Sequence, residues 1–344
     1  MEKEKMVEKK LYRKLQLTGG STLIVSLPKD WVEGAGVKAG SYVTLIPQPD
    51  GSLLITPRES EKETVKEAVI HVASTMDSQA AVREFIACYI VGYDLIKVEF
   101  KPYTSEHRAL IKKVLREKLI GVEPISETAD ELIVQCLVGY REIPLEVALN
   151  RMKNITTSMI NDAVNALKTR NYEVAAEVTN RDDEVDRLYF FMVRQLKRAV
   201  RERTILEDLG ISSPRACLGY RMVIKSVERS ADHASRIASL IPMLKKNPST
   251  EIFREISKMK DSSVEALRGS IDLLTKFNME KANKIIGKVD EARIVEQNII
   301  EKMFNQASSM DAINLRLITE SLRRIVEYGA DIAEIAINLS IREP

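Results

Sequence analysis

The chain of 344 residues has little of what most chemistries require. Its three cysteines, Cys88, Cys136 and Cys217, are far apart and form no paired motif, so no disulfide framework is expected. They read as buried thiols in a reducing compartment. The formal net charge is only +2, which excludes a global basic field; a nucleic-acid surface would have to be a local patch. No run of 18 apolar residues occurs, so no membrane span is expected. Residues 1–14 are polar and charged, with no signal-like segment, and the expected compartment is the cytoplasm. There is no P-loop, no Gly-x-Gly-x-x-Gly and no nucleophile beside a base. His71 and His107 are isolated, and His233 directly follows Asp232 rather than completing a Glu-x-x-His pair. An enzyme is therefore not expected.

Glycine and proline also run out along the chain. Six of 14 Gly and four of 11 Pro precede residue 58, and both are sparse after Ile143-Pro144. Long helical periodicity replaces them, which marks the main boundary. The expected fold class is multidomain α+β. A small β-rich module spans 1–58, a small α/β segment spans 60–142, and two repeated three-helix bundles span 145–247 and 248–344.

In the first module a basic arm carries Lys3, Lys5, Lys9, Lys10, Arg13 and Lys14 against Glu2, Glu4 and Glu8. A turn at Thr18-Gly19-Gly20-Ser21 precedes the short apolar strand Leu23–Leu27, closed by Pro28. Lys29 to Glu33 can form one helical turn. Tyr42–Ile46 and Leu53–Thr56 flank Pro49-Asp50-Gly51, a hairpin signal. So few large apolar side chains cannot bury an adequate core, so the module should dimerise or pack on the rest. In the α/β segment the order is strand, helix, strand, helix, strand, strand. Asp77 and Ser105 read as N-caps, and Gly92 and Gly121 as stops. Arg108, Lys112, Lys113, Arg116 and Lys118 form a basic helix face, read as solvated or as an anion site.

Six helical patterns follow, from about Leu145, Tyr172, Ser212-Ser213, Thr250, Glu280 and Ser309; the second is expected to run unbroken to about Asp208. The third holds Glu228 and Asp232, and the sixth holds Glu327 and Asp331 in a matching frame 99 residues on. The repeat is helix, helix, helix with Glu-x-x-x-Asp, twice. Like charges four apart share one helix face and repel. Each pair lies to one side of an apolar stripe, at a partly desolvated seam. The second helix adds Asp182 and Asp186, also four apart; the fifth offers Asp290, Glu291 and Glu296 in looser register. Converging carboxylates need a counter-charge, from a hard or borderline metal ion or from Arg229, Arg236, Arg323 and Arg324.

Two resemblances sharpen this. Arg13-Lys14, Val25-Ser-Leu-Pro-Lys-Asp-Trp31, Val37-Lys-Ala-Gly40 and Asp50-Gly-Ser-Leu-Leu-Ile55 resemble the SpoVT/AbrB swapped-hairpin family. That likeness implies a DNA-binding dimer, with Arg13, Lys14 and Lys29 against phosphates. Asp-x-x-Val-Asp in the second helix and Glu-Arg-x-x-Asp-His-Ala in the third look like the PhoU family of phosphate-uptake regulators. The likeness implies multinuclear iron or zinc on the bundle surface. It points to Asp182, Asp186, Glu228 and Asp232 in the first repeat and to Glu327 and Asp331 in the second. The implied function is a DNA-binding regulator of phosphate uptake. Its expected partners are DNA, a phosphate transporter or sensor protein, and a second copy of the chain, with at most peripheral membrane contact. The alternatives are a dimeric adaptor that binds no DNA, and a metal buffer.

Overall fold

The computed structural model describes residues 11–47, 51–57, 65–102, 104–137, 143–306 and 309–341. Lys3, Lys5, Lys9 and Lys10 of the basic arm, and Pro49-Asp50 of the hairpin turn, lie outside the described residues. The chain divides into two units, Met1–Thr64 and Val65–Pro344.

In the first unit β1 (Gln16–Thr18) and β2 (Thr22–Ile24) form a tight antiparallel hairpin. Gly19 and Gly20 take φ of 62° and 84° at its tip, where a side chain would be strained. A one-turn helix, α1 (Lys29–Gly34), leads to a second hairpin, β3 (Val43–Pro47) with β4 (Leu53–Pro57). None of its described residues is buried. Leu15, Leu17, Leu23, Leu45 and Leu53 are all more than half exposed. The described residues of one copy form no core.

The second unit opens with β5 (Glu67–Val72), α2 (Ser78–Val91), β6 (Leu95–Phe100), α3 (Ser105–Lys118), β7 (Val122–Glu127) and β8 (Glu131–Cys136). The sheet order is β5-β6-β8-β7, with the first pair parallel and the others antiparallel. Asp77 accepts from the Ala80 amide and caps α2, and Gly92 ends it at φ 105°. Ser105, expected to cap α3, is instead that helix's first residue, and the flanking Thr104 turns its hydroxyl back to the Lys101 carbonyl rather than to a helix amide. Alternation buries Ile70, Val72, Ile96, Val98, Leu132 and Val134 in one core with Phe85, Tyr89, Ile111 and Leu115 of the helices. The same strands also carry Lys97, which pairs with Glu99 and Glu131 at 3.1 and 2.7 Å, and His71, whose Nδ1 lies 2.9 Å from Glu99. Each fully buried apolar side chain contributes about 1.5–3 kcal/mol. An exposed ion pair contributes ~0–1 kcal/mol. The helix layer therefore holds the sheet.

Among the described residues seven α-helices follow: α4 (Leu145–Thr169), α5 (Tyr172–Ala199), α6 (Arg203–Asp208), α7 (Ala216–Leu240), α8 (Thr250–Asp272), α9 (Met279–Gln306) and α10 (Ser309–Ser340). Helices α4, α5 and α7 form the first repeat, and α8, α9 and α10 the second. One core runs through both, from Leu145 to Ile335, with α7 against α10 and α4 against α8. The second helical pattern is not continuous. It breaks after Ala199, and the short α6 turns to bury Ile205 and Leu206. Helix α10 comes very close to α8 at Gly329, where a Cβ would lie 2.8 Å from the Ala266 carbonyl carbon. Helices α2 and α3 pack on α5. Arg194 of α5, 2% exposed, donates to the Tyr89 carbonyl at 2.6 Å and lies 3.7 Å from Asp94. No helix among the described residues is long and apolar enough to cross a membrane.

Candidate metal centre

The acids of the first repeat converge because α5 and α7 run side by side. A four-residue spacing puts Asp182 and Asp186 on one face of α5, and Glu228 and Asp232 on one face of α7. Carboxylate oxygens of Asp186, Glu228 and Asp232 lie within 4.8 Å of one another. One cation with metal–oxygen bonds of about 2.0–2.6 Å can span that separation. The burial is uneven: Glu228 is 7% exposed and forms the floor, whereas Asp232 is open to solvent. The expected seam thus holds one buried acid, one half-buried acid and one exposed acid.

Electrostatics mark the same place. Burial pushes the Asp182 carboxyl up to about 7, and the charges of Asp232 and Asp186 add to that. Burial raises Glu228 too, against the opposing hydrogen bond from Lys225. Asp232 is raised by burial and by Asp186. One buried oxygen, Asp182 Oδ1, has no hydrogen-bond partner. An orphaned acceptor beside three converging carboxylates fits a cation. The donors are all oxygen, which suits a hard ion such as iron(III) better than zinc, which favours nitrogen and sulfur.

Two lysines already stand at this cluster. Lys225 binds both oxygens of Glu228, three residues on. Lys118, the last residue of α3, reaches Asp186 Oδ2 at 2.8 Å and also pairs with Asp183. Burial disfavours the Lys118 ammonium, but the bonds to Asp183 and Asp186 outweigh that and raise its pKa. Sequence reasoning missed both. The i, i+3 spacing of Lys225 and Glu228 was a usable signal. Lys118 had none, since it sits 68 residues from Asp186. Its reading as part of a solvated basic face or anion site is corrected by these two ion pairs. Two other residues of that face are also engaged: Arg108 lies over the Phe100 ring and donates to the Thr128 carbonyl, and Lys112 holds Glu127.

The second repeat is arranged differently. Glu327 accepts from both Arg323 and Arg324, and Arg323 also meets Glu296 at 2.7 Å. Asp331 stands at the surface, where the packed helices still strip part of its water, and that desolvation with the neighbouring Glu334 raises its pKa. Asp290 points to Arg293, at 3.1 Å. Among the described residues the acids spaced for a metal are those of the first repeat. Arginine is thus the counter-charge of Glu327, as one of the two options required. His233 lies beside Tyr328, ring centres 5.7 Å apart. Burial and Arg236 bring its pKa down to about 4, so it is neutral at pH 7.

In the first unit Arg13 and Lys14 are exposed in the extended lead-in to β1. Lys29 opens α1 and lies 3.7 Å from Glu33 on that helix.

A duplicated three-helix bundle, its repeats sharing one core and a carboxylate cluster lying between α5 and α7, defines the class of the helical region. Residues 149–241 and 256–336 each match the PhoU domain, together just over half of the chain, and the chain belongs to the PhoU family. Residues 16–63 match the family described as antidote-toxin recognition MazE, bacterial antitoxin, an AbrB-like module. Arg13 and Lys14 precede that span. The chain is 24% identical over 212 residues to the phosphate-specific transport system accessory protein PhoU homolog of Borreliella burgdorferi, covering 56% of this chain and 89% of that one. The Clostridium acetobutylicum homolog is 24% identical over 203 residues, covering 57% and 90%. PhoU from Streptococcus pneumoniae shares the fold at a TM-score of 0.50 and 21% identity, covering 57% of this chain and 92% of its own.

Proposed function

We propose that the chain is a cytoplasmic, DNA-binding regulator of phosphate uptake. The first unit pairs with the same unit of a second copy and sets Arg13, Lys14 and Lys29 against DNA phosphates. The helical region reads the state of a phosphate transporter or sensor protein, and a metal ion seated on Asp186, Glu228 and Asp232 beside Asp182 braces the first repeat. The carrying observation is a first unit whose described residues bury no core, joined to a PhoU region. A module with every described apolar side chain at least partly exposed needs a partner, and its family match is to AbrB-like modules.

Fluorescence anisotropy of full-length protein on the DNA upstream of its own gene, from 50 to 200 mM salt, tests the DNA role. Binding is expected to weaken steeply with salt. Arg13→Ala with Lys14→Ala should flatten the log–log slope by about 0.9 for each phosphate that is no longer neutralised. No binding at low salt, or binding indifferent to salt, overturns it.

The names of the curated relatives, accessory proteins of a phosphate transport system, favour a second reading. Here the first unit only dimerises the chain, and the bundles dock as an adaptor. The double variant would then leave phosphate uptake unchanged. Elemental analysis of purified protein decides between a resident metal and a metal buffer: about one ion per chain supports the former, several the latter, and none removes both.

A further inference from the structure

Lys118 comes from outside the PhoU-matched spans, which begin at residue 149. The domain that carries it, β5 to β8 with α2 and α3, is not part of that match. Three basic neighbours on α3 are used within that domain: Lys113 faces Glu117, Lys112 holds Glu127, and Arg108 donates to the carbonyls of Thr128 and Ala129. Lys118 instead crosses to α5 and ends at Asp183 and Asp186. The acid cluster therefore already draws a cation from another domain.

Asp186 belongs to two arrangements at once. It is the partner of Lys118, and it is one of the three carboxylates whose oxygens lie within 4.8 Å of one another. A multivalent cation on those three would compete with Lys118 for the negative charge of Asp186, and it would repel an ammonium 2.8 Å from one of its own ligands. Lys225 is in a different position. It sits on α7, three residues from its own partner Glu228, and can swing aside without moving any element. Lys118 is the last residue of a helix packed on α5, so its departure alters how α3 is seated.

We propose that Lys118 is a tethered counter-ion of the first-repeat acids, exchanged for the metal on binding, so that metal occupancy and the seating of α3 on α5 are thermodynamically linked. This rests on the metal reading given above. The linkage is reciprocal: the factor by which a seated Lys118 weakens metal binding is the factor by which bound metal unseats it. The α/β domain then senses the metal state of a bundle that it does not belong to.

The test uses full-length, chelator-treated protein titrated with Mn²⁺, the free ion being followed by its paramagnetic resonance signal. Lys118→Met keeps the apolar stem and removes the charge; it is expected to bind Mn²⁺ about tenfold more tightly than wild type, within the usual range of such couplings. Lys118→Arg keeps the charge and should stay near the wild-type affinity; Lys118→Gln, a second neutral variant, should bind as tightly as Lys118→Met and replaces it if the Met variant does not fold. Amide hydrogen exchange of residues 115–120 should quicken in wild type when Mn²⁺ is added. In Lys118→Met it should be fast with or without the ion. Equal, measurable affinities for wild type and Lys118→Met, with exchange unmoved by Mn²⁺, overturn the coupling and leave the metal reading standing. No binding by any of the proteins overturns the metal reading, and the coupling with it.

Discussion

The two repeats carry the same Glu-x-x-x-Asp pair in the same frame and neutralise it in different ways. Lys225 of the first repeat falls at the position of Arg324 in the second, and both pair with a glutamate three residues on. One position earlier the first repeat has Ile224, fully buried, and the second has Arg323, which ties Glu327 to Glu296 of α9. A guanidinium is a planar fork that stays charged and can hold two carboxylates at once. An ammonium on a flexible stem is a point charge that can leave. The second repeat is thus closed by residues of its own helices, whereas the first is left with an acid surplus met by lysines, one of them borrowed from another domain. Duplication kept the spacing of the acids; their neighbours decide what the acids do.

Substitutions at matched positions put this contrast to the test. The largest effect is expected at Gly329, which aligns with Ser230 of the first repeat. Ser230 is buried and donates to the Ser226 carbonyl at 2.8 Å, so a side chain fits there. At Gly329 the α8 backbone fills that space. Gly329→Ser should cost about 3 kcal/mol in chemical denaturation, the upper range for forced overpacking. A loss below half of that would mean that α8 and α10 can separate easily. Next is Glu327→Ala, which leaves Arg323 and Arg324 without their shared partner. A loss of about 2 kcal/mol is expected, with Mn²⁺ affinity unchanged. A fall in metal affinity would show the second repeat to be a site after all. The smallest effect is expected from Ser230→Gly, about 1 kcal/mol, from helix propensity and the removal of one hydrogen bond. A cost equal to that of Gly329→Ser would erase the distinction between the repeats.

Much of the architecture was legible, because long helices advertise themselves through period and caps. Asp77, Asn171 and Ser249 all cap as local chemistry dictates, each accepting from an amide two or three residues on. Arg170 ends α4 with φ at 51°, unusual for a side chain, and donates to the Leu244 and Lys245 carbonyls at 2.7 and 2.8 Å. The stop there was readable; the reason was not. The break after Ala199 was invisible, since no Gly or Pro marks it. It is set by tertiary demands, with Glu202 held by Lys66 at 2.8 Å and Ile205 drawn into the core. In the candidate site the acids were legible as a repeat. Their cations were legible only where local: Arg323 and Arg324 were named as options, whereas Lys118 needed the fold.

Arg194 and Asp186 sit on one rod. They are eight residues apart on α5, about 12 Å along its axis. At one end Arg194 is sunk into the Tyr89 and Asp94 corner of the α/β domain; at the other, Asp183 and Asp186 hold Lys118. The lysine is the attachment at the surface, whereas Arg194 and Phe190, which packs against both cores, are sunk between the layers. Free the lysine, and the inner attachments still hold the α/β domain to the rod while its outer edge is loosened.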